Sequence, residues 1–399
     1  MNVLFLFVSL PKVIDGNGLF DSLILEFQKN GHNVFVATKN KTNNITELKH
    51  EKGIDVLRIK SREFTGVSSN IKKALGYQEY TIKQTILIKK YFKNKKFDLI
   101  ISHSLPPELA LEIFTLKKIF KCKFYLLQTD YTWQDAVAYG YFKKNGPIGL
   151  YYRFWERCLF KLADFIGCPS YGNIDFIKKE YPWLSNTKFK VIDFWSNSMN
   201  VKSICNVRKK YGIENKFVAI YGGSVGVAQR IEHLIDLAYS CKDEKEIIFL
   251  ILGKGTQLEN IKNLVKEREL ENVMFIPFLP HEDYIKLLSS CDAGFVVLNE
   301  KLATPNFPSK TLLYFNLQIP ILAAIDYVTD YGKFLEKTGT GLWSYTGDVE
   351  NIKKNLLKLY TDSNLCARIK ENQIRYFNDN MQPKNAYQTI INHINDDKK

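Results

Sequence analysis

Short apolar runs recur along the chain, and between each run and the next lies a longer stretch in which apolar positions return every three or four residues. A run of four to eight apolar residues has no polar face, which suits a strand covered on both sides; a period near 3.6 suits a helix lying on such a sheet. In the first half the runs fall at 3–10, 34–38, 55–59, 98–103, 124–129, 165–168 and 189–194, with helical stretches such as 19–29 and 71–93 between them. They predict one sheet of six or seven strands. A second series at 217–221, 247–252, 273–276, 294–298, 321–324 and 341–345 predicts another complete sheet. Strands alternating with helices in this way read as doubly wound α/β. Little periodicity remains at 197–206, so the linker is expected near 196–210. The tail from about 349 to 395 is helical with a break around 381–383. The expected organisation is an N-terminal domain over 1–200, a C-terminal domain over 206–375 and a helical tail over 376–399. Two such sheets in one chain leave a cleft, and ligands of such sheets bind at the C-terminal ends of the strands.

Composition narrows the class. With 45% apolar and 25% charged residues the 399-residue chain has ordinary globular usage, which excludes disordered and fibrous classes. The apolar run at 3–10 has no basic segment before it and meets Pro11 and Lys12. It is too short to span a bilayer and unlike a secretion signal, so a soluble, cytoplasmic protein is expected. Seven cysteines at irregular spacing, without a CxxC pair, read as buried thiols rather than disulfides or a zinc cage. The net charge of +14 is uneven: +12 over residues 1–200 and +2 over the remainder. A basic first half suits an anionic partner, unless it is only a solvated face. Over 80–97, apolar Ile82, Ile86, Leu87, Tyr91 and Phe92 alternate with Lys83, Lys89, Lys90 and Lys93. That pattern suits peripheral contact with an anionic membrane, or a helix packed on the sheet with its lysines outward. No nucleic-acid-binding module is legible, so nucleic acid is excluded as a partner.

Candidate chemistry sits where strands run into helices. Gly16-Asn17-Gly18 follows the first run and precedes a helix near Leu19, a place where backbone N–H groups and the helix dipole favour an anion; a plain turn is the alternative. Asp21 stands where a GxGxxG fingerprint needs glycine, which disfavours a nicotinamide site. The second series opens with Tyr221-Gly222-Gly223-Ser224 and continues through Gln229 and Arg230, a glycine-rich loop able to cradle phosphate with Arg230 as counter-charge. Lys254 ends the next strand at the same edge, either reaching an anion or snorkelling into solvent. After the strand ending at Leu298, a polar loop with Glu300 leads to Pro308-Ser309-Lys310. A helix starting at Pro308 and Ser309 would present N–H groups together with the Lys310 ammonium, a constellation suited to a diphosphate; simple capping is the alternative.

These blocks, in this order, resemble the retaining glycosyltransferases of the GT-B fold, family 4. The likeness rests on Gly16-Asn17-Gly18, Gly31-His32-Asn33-Val34, the block from Tyr221 to Glu232, Pro308-Ser309-Lys310 with Tyr314 and Pro320, and a final helical segment. The resemblance implies two Rossmann-like domains facing a cleft, with the last helix crossing back onto the first. It implies a nucleotide-sugar donor, UDP rather than GDP, bound by the second domain, and a glycan acceptor, lipid-linked, bound by the first, in surface polysaccharide assembly. No Asp-x-Asp motif is present, so no metal or other cofactor is expected and Lys310, Arg230 and helix N-termini would stabilise the departing diphosphate. Gly16, Gly18, Gly222, Gly223, Ser224, Gln229, Lys254, Glu300, Pro308 and Ser309 are the expected donor-binding positions. Three positions depart from the family. Leu313 stands at the second place of its paired-glutamate motif, leaving Glu300 as a substitute; Ser224 and Gln229 replace its usual Arg and Lys. Asp130 occupies the region where a histidine is common, with His103 as a second candidate for orienting a sugar or acceptor hydroxyl. Two alternatives to the transferase are a nucleotide-sugar epimerase of similar fold and a catalytically silent nucleotide-sugar-binding partner.

Overall fold

The computed structural model describes residues 1–42, 45–61, 70–199 and 207–396. The chain divides into two compact units, Met1–Asn197 with Met381–Lys399, and Ser198–Asn380.

In the first unit the strands are β1 (Asn2–Phe7), β2 (Asn33–Lys39), β3 (Glu47–Glu51), β4 (Ile54–Ile59), β5 (Leu99–His103), β6 (Lys123–Leu127), β7 (Phe165–Cys168) and β8 (Phe189–Val191). Their order is β3-β4-β2-β1-β5-β6-β7-β8, parallel except for β3, which runs antiparallel to β4. Alternate residues of β1 feed two cores: Leu4 and Leu6 on one face of the sheet, Val3, Phe5 and Phe7 on the other. The sheet thus has eight strands where six or seven were expected. The additional strand, β3, reads Glu-Leu-Lys-His-Glu, without an apolar run, and its Leu48 is exposed. Turn chemistry and one ion pair hold it instead. Lys52 and Gly53 both have positive φ (48° and 82°), the requirement of a two-residue hairpin turn. Buried Arg58 on β4 donates to both carboxylate oxygens of Glu51 at 2.7 Å, and to the carbonyl of Pro11 at 2.8 Å.

The second unit contains β9 (Phe217–Ser224), β10 (Ile247–Lys254), β11 (Val273–Ile276), β12 (Ala293–Val297), β13 (Ile321–Ile325) and β14 (Gly341–Tyr345). The order is β11-β10-β9-β12-β13-β14, all parallel. The strand order reverses between β9 and β12 here, and between β1 and β5 in the first unit. Such a reversal opens a crevice at the C-terminal strand ends.

The helical tail is split. Helix Ser363–Asn380 stays in the second unit, with buried Gln373 donating to the carbonyls of Ile319 (2.8 Å) and Thr340 (2.9 Å) and Phe377 buried. Helix Pro383–Asp396 packs on helix Leu19–Lys29 in the first unit and adds Ala386, Ile390 and Ile394 to its core. The change of unit therefore falls at 381 rather than 376, because the apolar face of Ser363–Asn380 is used up within the second unit. Residues 200–206 of the expected linker lie outside the described residues.

Candidate functional site

In the second unit, β9 ends in Tyr221-Gly222-Gly223-Ser224 beside the reversal. These glycines are where neighbouring groups crowd the backbone. A Cβ on Gly222 would fall 2.1 Å from the Tyr284 hydroxyl, and one on Gly253, at the end of β10, would fall 1.9 Å from the Gly223 carbonyl. Gly223 has φ +149°, and its missing side chain leaves the backbone facing Lys310, whose Nζ would stand 3.5 Å from a Cβ there. Gly223 and Ser224 are exposed.

Lys310 is the central charge. Its Nζ lies 3.9 Å from the centre of the Tyr221 ring and has no hydrogen-bond partner among the described residues. The stem is partly exposed, but the nitrogen itself is out of solvent. Burial pushes its pKa down to about 7. The aromatic face offsets part of that penalty. Tyr221 is held in place by its own hydroxyl, which donates to the Ser224 carbonyl at 2.6 Å.

Arg230 and Glu300 form an ion pair. Arg230 follows the short turn Val227–Gln229 and has φ +38°, a left-handed conformation that a side chain seldom adopts. Asn299 supports this geometry: its N–H donates to the Ala228 carbonyl at 3.0 Å and its Nδ2 to the Val227 carbonyl at 2.6 Å. Glu300, expected from the sequence to meet a donor hydroxyl, contacts Arg230 through one oxygen, and its Oε2 is buried with no hydrogen-bond partner among the described residues.

The segment around Pro308, Lys254 and Gln229 each have local partners of their own. The helix after Pro308 begins at Thr311, and the N–H groups of Thr311, Leu312 and Leu313 donate to the carbonyls of Pro308, Ser309 and Lys310. Those three N–H groups are spent internally; Pro308 is buried, Ser309 is exposed, and Lys310 contributes through its side chain. The Nζ of Lys254 lies 4.9 Å over the exposed ring of Phe278. Gln229 donates its N–H to the Gly226 carbonyl at 3.2 Å, closing the turn.

The Gly16–Gly18 loop belongs to the first unit and is already filled. Its Gly16 N–H donates to Oδ2 of Asp21 at 2.8 Å, and a Cβ on Gly18 would fall 2.5 Å from Oδ1 of the same side chain. Asp21 is fully buried in the first turn of helix Leu19–Lys29; burial, with Asp15 nearby, pushes its pKa up. The Gly16 N–H, expected to face a donor phosphate, is thus taken up within the loop. His103, at the end of β5, and Asp130, separate candidates in the sequence, come together in the structure. The Nδ1 of His103 accepts from the Leu105 N–H (3.3 Å), which leaves Nε2–H to donate to Thr129 (2.5 Å) and Asp130 (3.1 Å). Burial would raise the Asp130 pKa, but His103 and the Thr129 hydroxyl hold it below the usual range, so the half-exposed carboxylate is ionised at neutral pH. Tyr284, Asn299, Thr129 and Phe278 were not among the expected site residues, and Tyr221 was expected only as the start of the glycine-rich block. The signal for Asn299, Thr129 and Phe278 was their position just past a strand's C-terminal end; Tyr284, on helix His281–Ser289, had none.

Residues 204–376 match the family model for Glycosyl transferases group 1, so the second unit carries a glycosyltransferase group 1 domain. WcaI of Escherichia coli K12 is 31% identical over 97 residues, 24% of either chain. The "Probable glycosyltransferase WbjE" of Pseudomonas aeruginosa is 24% identical over 62% of either chain. An Escherichia coli "O-antigen biosynthesis glycosyltransferase WclY" is 26% identical over 63% of this chain and 68% of its own. The chain thus matches a quarter of the length of the first of these relatives and about three fifths of the second. Among solved structures, sucrose-phosphate synthase from Thermosynechococcus elongatus superposes with a TM-score of 0.72 at 13% identity over 99% of both chains. HepE of Anabaena, solved with UDP-glucose, gives 0.69 at 16% identity, covering 99% of this chain and 100% of its own. These likenesses show the GT-B fold.

Proposed function

We propose that the chain is a retaining glycosyltransferase that moves a sugar from a nucleoside-diphosphate sugar, UDP in preference to GDP, to a lipid-linked glycan in surface polysaccharide assembly, without a metal ion. The observation that carries this reading is Lys310, a buried ammonium with no carboxylate or hydrogen-bond partner among the described residues, beside Gly223 at the open end of β9. An uncompensated buried cation is costly, and an anion arriving next to it removes that cost. In the reaction the bond between the anomeric carbon and the diphosphate breaks, the acceptor oxygen bonds the same carbon from the same face, and the acceptor proton leaves to a diphosphate oxygen. Charge grows on the diphosphate as the bond breaks, and Lys310 stands ready to meet it. A charge-assisted contact of this kind is worth on the order of 1.5–3 kcal/mol.

The ionised Asp130, oriented by His103 and Thr129, supports a role in holding a sugar or acceptor hydroxyl. Relatives named for O-antigen biosynthesis support the polysaccharide assignment. For the acceptor, helix Asn70–Tyr91 exposes Leu75, Ile82 and Ile86, while Ile88 and Phe92 are buried. Leu111 and Phe114 of the adjoining helix Leu109–Phe120 are also exposed, and Lys89, Lys90 and Lys93 flank this face. An apolar face rimmed with lysines supports contact with an anionic leaflet. No helix among the described residues is long and apolar enough to cross a membrane.

The test is thermal unfolding with UDP, GDP, ADP and CMP, each with and without Mg²⁺. Ligand at about 100 times its dissociation constant adds roughly 2.7 kcal/mol. The expected outcome is a metal-independent rise with UDP that Lys310→Ala abolishes. A flat response to all four nucleotides overturns the reading.

A further inference from the structure

At the outer edge of the second unit's sheet, two strands from the reversal, β13 and β14 end in an exposed aromatic pair. Tyr327, just past β13, and Tyr345, the last residue of β14, stack with ring centres 4.5 Å apart and planes 25° apart. Trp343 meets Tyr345 edge-on at 5.2 Å. Tyr327 is 68% exposed, Tyr345 41% and Val328 43%, so one broad face of the Tyr327 ring and its neighbours lie open to solvent. The pair is held firmly. Oδ1 of Asp326 accepts from the N–H groups of Val328 (2.7 Å) and Thr329 (2.8 Å), which fixes the loop bearing Tyr327. Both rings also hang from the loop that carries Glu300 and Lys310: Thr329 donates its hydroxyl to the Asn306 carbonyl (2.8 Å), and Thr346 donates to the Leu298 carbonyl (2.7 Å).

Charge selects the occupant. In a chain of net charge +14, the segments 327–332 and 344–352 contain Asp330, Asp348 and Glu350 and no lysine or arginine. Such a surface repels phosphate, anionic lipid and nucleic acid, and its carboxylates accept hydrogen bonds from hydroxyl groups. Three exposed side chains are also far fewer than the 20–30 residues a stable protein interface takes from each partner. A flat aromatic face with carboxylates around it suits a pyranose ring, whose C–H face is apolar and whose hydroxyls point outward.

We propose that Tyr327 and Tyr345 form a stacking platform for a sugar ring of a neutral glycan, on the same strand-end edge as Lys310. The inference rests on the transferase reading only in that such an enzyme meets glycans; the platform binds whether or not the donor site works. Asp326, buried behind the pair, positions Tyr327 rather than touching the sugar.

Saturation-transfer NMR on the full chain with maltohexaose, cellohexaose and chitohexaose tests it. At least one oligosaccharide is expected to bind through its ring C–H protons, Tyr327→Ala to weaken binding about tenfold, and Tyr327→Phe, which keeps the ring, to preserve it. The UDP-induced thermal shift, measured on the same samples, is expected to survive Tyr327→Ala, which reports that the variant is folded. No binding of any of the three to the wild type overturns the proposal, as does binding that Tyr327→Ala and Tyr345→Ala leave unchanged. Tyr327-dependent binding without a UDP shift sinks the donor reading and leaves the platform standing.

Discussion

At the scale of single residues, the informative contrast lies between two cations that the sequence placed on equal terms. Arg230 has its carboxylate in Glu300, whereas Lys310, among the described residues, has only the face of Tyr221. A lysine held near pKa 7 by burial is half deprotonated in the empty protein at neutral pH. An incoming diphosphate favours the ammonium and raises that pKa in the complex. Binding therefore takes up a proton above pH 7: affinity for a nucleotide sugar is level below about pH 7 and falls above it, by up to about tenfold per pH unit. A nucleotide sugar is the right probe, because its phosphodiester groups do not titrate in that range. Calorimetric dissociation constants from pH 6 to about 9 measure the effect, with Lys310→Met expected to bind weakly and without this slope. A level wild-type profile contradicts the assignment. The lysine itself was legible in the sequence, through its place in the Pro308-Ser309-Lys310 block. Its isolation was not, because that depends on where every neighbouring carboxylate ends up, and Glu300 went to Arg230.

Among the elements, strands buried on both faces were read well and edges were not. All six strands of the second unit announce themselves as apolar runs. Strand β3 does not, since a polar edge is held by a turn and by the Arg58–Glu51 pair, neither of which leaves a periodic trace. The same limit applies to the helix after Pro308: a proline and a serine resemble an N-terminus, yet one more turn of chain precedes Thr311. Periodicity also marked Ile82 and Ile86 as apolar on helix Asn70–Tyr91 without saying which way they face. They face solvent, beside Leu75. If that face meets a bilayer, the Ile82→Glu, Ile86→Glu double variant loses its affinity for phosphatidylglycerol vesicles by at least about tenfold, given roughly 0.8 kcal/mol for each buried CH₂. Co-sedimentation measures this. Added salt should weaken the wild type as well, because the flanking lysines act through a screened field. Equal binding of wild type and variant would assign the face to something other than lipid.

For the whole molecule, chain order and folding unit do not coincide. The first unit is completed only when residues beyond 380 return to it, and the bonds that fasten helix Pro383–Asp396 reach back across almost the full sequence. The Nε2–H of His393 donates to the Thr187 carbonyl at 3.1 Å, which leaves Nδ1 to accept from the Tyr125 hydroxyl at 2.9 Å. At the other end of the helix, Tyr387 meets His32 at 2.9 Å. Between them Ile390 is fully buried against the core of β1 and β2. A break near 381–383 was visible in the sequence, and the family resemblance implied that the last helix returns to the first domain; periodicity alone did not place the boundary at 381, since amphipathic helices on either side of it look alike. Ile390→Ala should cost about 2–5 kcal/mol through the cavity it leaves. That loss falls on the first unit alone, lowering its melting temperature by roughly 2–4 °C per kcal/mol. UDP, binding beside Lys310, should raise only the transition of the second unit. Scanning calorimetry of wild type and variant, with and without UDP, separates the two effects. If the variant and the nucleotide move one and the same transition, the two units unfold as a single cooperative body, and the returning helix stabilises the donor-binding unit along with its own.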